Sequence, residues 1–431
     1  MEKLSVTAKN FKKKLLYFQR NNLFPKTIFK IVTNILKDIK DCGNEALFSY
    51  TQKFDQAKIT TRNIRIKKSQ RLASRRALSK NDLKQIKKAI ASVHDFHSKT
   101  IPQSWLEPNL HGAMVGECFY PIQRVGLYIP GGEVPLASSV VMSAVLAKIA
   151  KVPEVFVATP PQKSGGINPQ LLAVLDLCEV DEIFLMGGAQ AIGAFAYGTE
   201  SVPAVDKIFG PGNAYVVEAK RQVFGMVGID LLPGPSEVMV IGDNNANPAY
   251  IAADLLAQAE HGTGKEKVYA VLQGKSLVEA VLGELEQQMQ GLSHREKIKR
   301  VFSHGLLFIE YDQLEQAIAV ANEIAPEHLE LHAKEGALKK MQKKITTAGA
   351  MLIGESTPTV LGDFTAGPSH TLPTGGTGRF FSGMQLRDFY RRTSIVRYDQ
   401  SSLLKAAPVV ETFAKIEGLD AHGNSLLKRL S

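Results

Sequence analysis

Cysteine is scarce in this chain of 431 residues. There are three, Cys42, Cys118 and Cys178, widely spaced and without a CxxC pair. That excludes a disulfide framework and a thiolate zinc site. Long apolar runs are also missing, and none approaches the roughly 20 residues of a membrane-spanning helix. The opening MEKLSVTAKNFKKK has neither the apolar core nor the small-residue cleavage site of a secretory signal. A reducing cytoplasm is the expected compartment, with no membrane partner. The generic motifs are absent too. There is no GxGxxG fingerprint, no P-loop and no HExxH helix, and no GxSxG elbow. Neither low-complexity tracts nor repeats at solenoid spacing occur.

What is present fits a globular protein of two or more domains, with 44% hydrophobic and 22% charged residues. The net charge of +10 is unevenly spread. Residues 1–100 hold 24 Lys and Arg against 7 Asp and Glu, while the remainder holds 28 against 35. Stretches such as FKKKLLYFQR and LASRRALSKNDLKQIKKAI carry the excess. Aromatic interleaving is sparse there, and helix-turn-helix or zinc-finger spacing is absent. Amphipathic helices with solvated lysine faces account for the charge, and no nucleic-acid partner is expected.

Residues 26–100 read as mostly helical, with Gly43 ending one helix and Asn44 opening the next. From about residue 120, short apolar or β-branched runs alternate with helical stretches. The candidate strands are VGLYIP, EVFVATP, EIFLMGG, KIFGPG, EVMVIGD, KVYAVLQ, GLLFIEY and GAMLIG. Strand then helix, repeated, predicts an α/β fold of parallel sheets covered by helices. Ligands in such folds collect beyond the carboxyl ends of strands. The Gly-rich turns YIPGG, MGGAQAIG, FGPGN and LLPGPSE are expected there. The stretch 355–383 is long and poor in regular structure, which marks a functional loop. Residues 385–431 read as helical.

Ionisable and amide side chains narrow the chemistry. In NANPAYIAADLLAQAEHG, Asn247 caps a helix, Pro248 opens it and Gly262 stops it. Ile251, Leu255 and Gln258 share one stripe, with His261 one turn beyond Gln258. Two polar groups on a buried face must be paired or coordinated. A satisfied polar pair and a metal site both remain open from this stretch alone. Of the ten histidines, His94, His97, His294 and His304 sit in charged surroundings and read as surface residues. His328 follows Glu327 in APEHLELH. A carboxyl beside an imidazole suits acid–base work near neutral pH, and an exposed turn pair is the alternative.

Taken together and in order, VGLYIPGG, GGAQAI, DKIFGPGNAYVVEAKRQV, GPSEVMVI, DLLAQAEHG, PEHLE, GDFTAGPSHTLPT and LDAHGNSLL make the chain resemble the histidinol dehydrogenase family along nearly its whole length. The likeness is weakest in the first twenty or so residues and at 162–170, which looks like a surface elongation. The resemblance implies two Rossmann-like parallel-sheet domains with covering helices, plus small N- and C-terminal helical segments used in dimerisation. The domains implied are an N-terminal helical arm at 1–25, a first α/β domain at 26–125 and 236–383, a second, NAD-facing domain at 126–235, and a C-terminal helical segment at 384–431.

The activity implied is oxidation of L-histidinol to L-histidine through bound L-histidinaldehyde, with two NAD⁺ per turnover and one zinc ion per subunit of a homodimer. Zinc ligands would be Gln258, His261, Asp363 and His422, the last reaching the partner's active site. Glu327 and His328 would be the catalytic pair. Substrate contacts would fall on Ser236, His370 and Glu417, together with Gln258, His261, His328, Asp363 and His422. Tyr128, Gln190 and Asn213 would face NAD. An N/O ligand set without cysteine suits zinc with open positions. The missing GxGxxG implies an atypical cofactor mode. Two other readings stand beside this one. The first is a related four-electron dehydrogenase for another amino alcohol or a sulfonate, against which Ser236, His370, Glu417 and His422 argue. The second is a basic nucleic-acid-binding protein, which would leave the Gly-rich loops idle.

Overall fold

The computed structural model describes residues 2–19, 25–131 and 136–430. Residues 20–24 of the expected arm and Gly132 of the YIPGG turn lie outside the described residues. In chain order the strands are β1 (Glu2–Ser5), β2 (Trp105–Pro108), β3 (Met114–Pro121), β4 (Arg124–Tyr128), β5 (Glu154–Thr159), β6 (Glu182–Leu185), β7 (Lys207–Phe209), β8 (Gly228–Ile229), β9 (Glu237–Gly242), β10 (Lys267–Gln273), β11 (Leu306–Tyr311), β12 (His328–His332), β13 (Ala350–Ile353) and β14 (Tyr390–Arg397).

Two parallel sheets carry the fold. The first runs β1-β11-β10-β9-β12-β13 and the second β6-β5-β4-β7-β8. Their central strands are apolar on both faces because helices cover both sides. All eight strands expected from the apolar runs are present. A third, antiparallel sheet, β14-β3-β2, was not expected. It joins segments far apart in the chain, and β14 (YRRTSIVR) carries too much arginine to read as a strand. The stretch expected to be helical from residue 385 therefore opens with a strand, and its helices follow at Gln400–Glu417 and Asp420–Leu427. The arm also differs from a plain helix. β1 pairs with β11, and the helix Phe11–Gln19 comes after it.

Residues 26–66 do not pack where the implied domain boundary puts them. Val32, Ile35, Leu36, Ile39, Leu47 and Ile64 share one core with β4, β5, β6 and β7 of the second sheet. The helix Lys26–Asp55 kinks at Gly43, and its apolar stripe lies on the helix Gly188–Tyr197. A Cβ at Gly193 would meet Leu36 at 3.1 Å, so a small residue there permits the approach. Separate apolar cores cover the two faces of the first sheet. No described helix is long and apolar enough to cross a membrane.

His97 corrects a second expectation. It is 3% exposed, because Val93 and His97 form the inward face of the helix Lys80–Ser98. Its Nε2 has no partner, and burial pulls its pKa down from 6.5 to about 4. The unfolded chain therefore takes up a proton that the folded one refuses between those values, and stability falls as pH drops through that window. His97→Leu should raise Tm more at pH 5 than at pH 7, read by thermal melts at both; an equal change at both would exclude the effect.

Candidate active site

Strand β12 alternates. Leu329 and Leu331 enter one apolar core, so His328, Glu330 and His332 point together to the opposite face. All three are buried. The Glu327–His328 pair is likewise buried, each residue being 6% exposed, which excludes an exposed turn. The Glu327 main chain is fixed by β13, with Ala350 N donating to Glu327 O at 2.8 Å.

Glu237, the first residue of β9, organises the pair. Its backbone N–H donates to Glu327 Oε2 at 2.7 Å. Its carbonyl lies 3.3 Å from His328 Nδ1, an acceptor that places the ring proton on Nδ1. Nε2 is left with a free lone pair, 3.6 Å from Asp363 Oδ1. Burial brings the His328 pKa down to about 4, so the imidazole is neutral at physiological pH. Burial, then the neighbouring carboxylates of Glu237 and Asp363, push the Glu327 carboxyl well above its ordinary range. A fixed, neutral imidazole thus stands beside a carboxyl that holds its proton more tightly than usual.

Asp363 and His370 complete this cluster from the long loop. His370 Nδ1 donates to the Asp363 carbonyl at 3.0 Å. Its Nε2 lies 3.3 Å from Ser139 Oγ, on the helix Ala137–Ile149 that covers the second sheet. The site therefore straddles both α/β units. Asp363 belongs to a short helix, Thr359–Phe364, and burial raises its pKa to about 6.

The Asn247-capped helix ends at Ala259, so His261 lies in the turn beyond it and Gly262 takes φ +70°. Arg300 donates to the Gly262 carbonyl and anchors that turn. Gln258 is 5% exposed, and its amide nitrogen has no partner. His261 is exposed, yet lies within electrostatic range of both His328 and His370. An uncommitted buried amide beside an open imidazole is not a satisfied polar pair. By donor type, Gln258, His261 and Asp363 offer an amide, an imidazole and a carboxylate, an N/O set suited to a metal of borderline softness. His422 and Glu417, by contrast, are exposed on the C-terminal helices, and among the described residues no hydrogen bond or ion pair joins their side chains to another site residue. Ser236 is half-buried just before β9.

These groups sit at the amino ends of β9 and β12. LLPGPSE lies beyond the carboxyl end of β8 in the second sheet, as expected, and at the same time leads into the amino end of β9 in the first. The expectation holds for the second sheet. Tyr128 ends β4, which lies between β5 and β7 where the strand order reverses. Its hydroxyl accepts from Gly188 N at 3.1 Å. Gln190 is 1% exposed with both side-chain polar atoms unpartnered. Asn213 caps the helix Ala214–Val223 through Tyr215 N at 3.0 Å and Val216 N at 3.2 Å.

A fully buried ion pair holds the FGPGN turn. Lys220 Nζ donates to the Gly210 carbonyl at 2.9 Å and pairs with Asp230. Asp230 accepts from Gly210 N at 2.7 Å. At Gly210, with φ +110°, a Cβ would sit 2.1 Å from Tyr128 O, so this turn needs glycine. Lys220→Met should destabilise the chain by about 3 kcal/mol, because Asp230 is left charged and buried. Denaturant melts check this, and a loss under about 1 kcal/mol would contradict the account.

Glu237, Asp254, Glu330, His332 and Ser139 are site residues that the sequence reading passes over. Two signals were available. EHLELH alternates with period two, its polar residues all on one face. Asp254 precedes Gln258 by four, on the stripe that continues to His261. Asp254, Glu330 and His332 bring three ligand-type atoms within 4.8 Å of one another.

Known proteins resemble this chain along nearly its whole length. Residues 18–430 match the family model described as histidinol dehydrogenase. A histidinol dehydrogenase of Heliobacterium mobile is 42% identical over 414 residues, 96% of each chain. One of Halalkalibacterium halodurans is 41% identical over 402 residues, 93% of each. The crystal structure of a histidinol dehydrogenase from Elizabethkingia anophelis aligns with a TM-score of 0.94 at 34% identity, covering 100% of this chain and 98% of that one.

Proposed function

The chain belongs to the histidinol dehydrogenase family of oxidoreductases, and from that premise we propose that it oxidises L-histidinol to L-histidine with two NAD⁺, through an aldehyde that stays bound. The observation that carries this reading is the buried His328, its Nδ1 held by Glu237 and its Nε2 open toward Asp363.

Gln258, His261 and Asp363 of one subunit, with His422 contributed across a homodimer, would hold zinc. Bound, zinc would orient the substrate's imidazole and amine, and NAD⁺ would take up the hydride at each oxidation. His328 Nε2 accepts the hydroxyl proton in the first oxidation. Glu327, once deprotonated, takes a proton from the water that hydrates the aldehyde. His328, after releasing its first proton to solvent, serves as base again by taking the hydroxyl proton of the hydrate. Ser236, His370 and Glu417 hold the substrate, and Glu417 pairs with its amine end. Tyr128, Gln190 and Asn213 face NAD; the unbonded amide of Gln190 and the exposed Asn213 support that reading. The dimer reading draws support from the C-terminal helices, where Phe413 and Ile416 are 57% and 74% exposed beside Glu417. A cytoplasmic location follows from the biosynthetic activity.

The test is purified protein with L-histidinol and NAD⁺, followed by NADH absorbance. Two NADH per histidinol are expected, with activity abolished by chelation and restored by zinc. Absence of turnover with zinc supplied would sink the assignment.

A further inference from the structure

The face of β12 carries more than the catalytic histidine. Glu330, two residues on, is fully buried, and each of its oxygens is engaged. Oε1 accepts from Thr359 N at 2.9 Å and from Thr359 Oγ1 at 2.5 Å. Oε2 lies 3.2 Å from His332 Nε2. Asp254 completes the cluster: its carboxylate, that of Glu330 and an imidazole nitrogen of His332 lie within 4.8 Å of one another, and Asp254 Oδ2 is 3.5 Å from His332 Nε2.

These bonds connect three separate segments. Asp254 belongs to the Asn247-capped helix, one turn before Gln258. Thr359 begins the short helix that carries Asp363 four residues later. Glu330 shares its strand face with His328. From these contacts we infer that Asp254, Glu330 and His332 are positioning residues: a buried hydrogen-bonded brace, centred on Glu330, that fixes Gln258 and Asp363 relative to His328 and so presets the metal site. The inference rests on the ligand assignment proposed above.

Two carboxyl groups in one buried bond must share a proton. Asp254 is the one that holds it, because burial and the neighbouring Glu330 carboxylate raise its pKa. Asp254 donates and Glu330 accepts. Groups that orient metal ligands from behind typically contribute about 10–100-fold to metal affinity.

The experiment measures zinc affinity of the full-length chain by competition with a chromophoric chelator, with metal content and Tm recorded alongside. Glu330→Gln should weaken zinc binding by about 10–100-fold, with excess zinc restoring turnover. Asp254 supplies a second comparison, should that variant fail to fold. Asp254→Asn keeps a donor toward Glu330 and should stay within about threefold of wild type, whereas Asp254→Leu, of similar volume but without a donor, should lose about tenfold. Equal affinities for the Asn and Leu variants would reduce the cluster to packing and overturn the inference. Two zinc ions per wild-type subunit and one in Glu330→Gln would also overturn it, since the cluster would then bind metal itself. If Gln258→Ala loses zinc while every Asp254 and Glu330 variant keeps it, the inference fails and the ligand assignment stands. If the wild-type chain takes up no zinc, both fail.

Discussion

His328→Asn should lower kcat by about 10³-fold, the size of effect expected when a positioned general base is removed. Asparagine can still donate to the Glu237 carbonyl, so the site should remain folded, but it has no basic nitrogen. The pH dependence separates the two members of the pair. The His328 pKa of about 4 keeps its lone pair available at all pH values well above that. The first oxidation should therefore show no ionisation of this base near neutrality. Glu327 behaves oppositely. Its raised pKa means that the fraction able to accept a proton from water grows as pH rises. Complete oxidation should accelerate above neutral pH, while the first NADH, read in a single-turnover burst, should not. Glu327→Gln mimics the protonated form. It should release the first NADH at a near-normal rate and slow the second by about 10²-fold or more. A His328→Asn enzyme that keeps its zinc and more than a tenth of wild-type kcat would exclude His328 as the base.

The strands that a sequence reader finds are those whose burial is two-sided and apolar, such as EVMVIG and KVYAVLQ. The strand that matters most for chemistry is the one such reading passes over. In HLELH three of five residues are ionisable, so the local pattern says loop. The strand forms because Leu329 and Leu331 fill one core and the polar residues find partners on the other face. Glu330 and His332 were legible only as members of that alternation. Ser139 could not be found locally at all. Its role depends on His370, 231 residues away, and on the packing of one sheet unit against the other. The reversed polarity of the site has a similar origin. Loops such as LLPGPSE look alike whether they leave a strand or lead into one, and only the sheet order decides. By contrast, Asn247, Pro248, Gly43 and the two helices they punctuate were readable, because capping and kinking are local matters of backbone hydrogen bonding.

The exposed position of His422 leads to a result with an arithmetic signature. His261→Asn and His422→Asn should each abolish nearly all activity, because each removes a proposed zinc ligand. Among the described residues no hydrogen bond or ion pair joins the His422 side chain to another site residue, so on the proposed assignment a second copy of the chain completes the ligand set. In a two-fold dimer, each site takes His261 from one subunit and His422 from the other. A heterodimer of the two variants then places both defects in one site and leaves the other intact. Mixing the variants in equal amounts, with full subunit exchange, should give half heterodimers. About a quarter of wild-type activity should return, since each heterodimer has one working site of two. Zinc content should rise in the same proportion, giving a readout independent of turnover. If exchange is demonstrated and neither activity nor zinc recovers, His422 acts within its own subunit, and the C-terminal helices must move to bring it there. If each variant alone retains zinc, His422 is not a ligand. The exposed apolar residues Phe413 and Ile416 offer a control on the same surface. Ile416→Asp should weaken self-association and, with it, zinc retention, although it touches neither ligand.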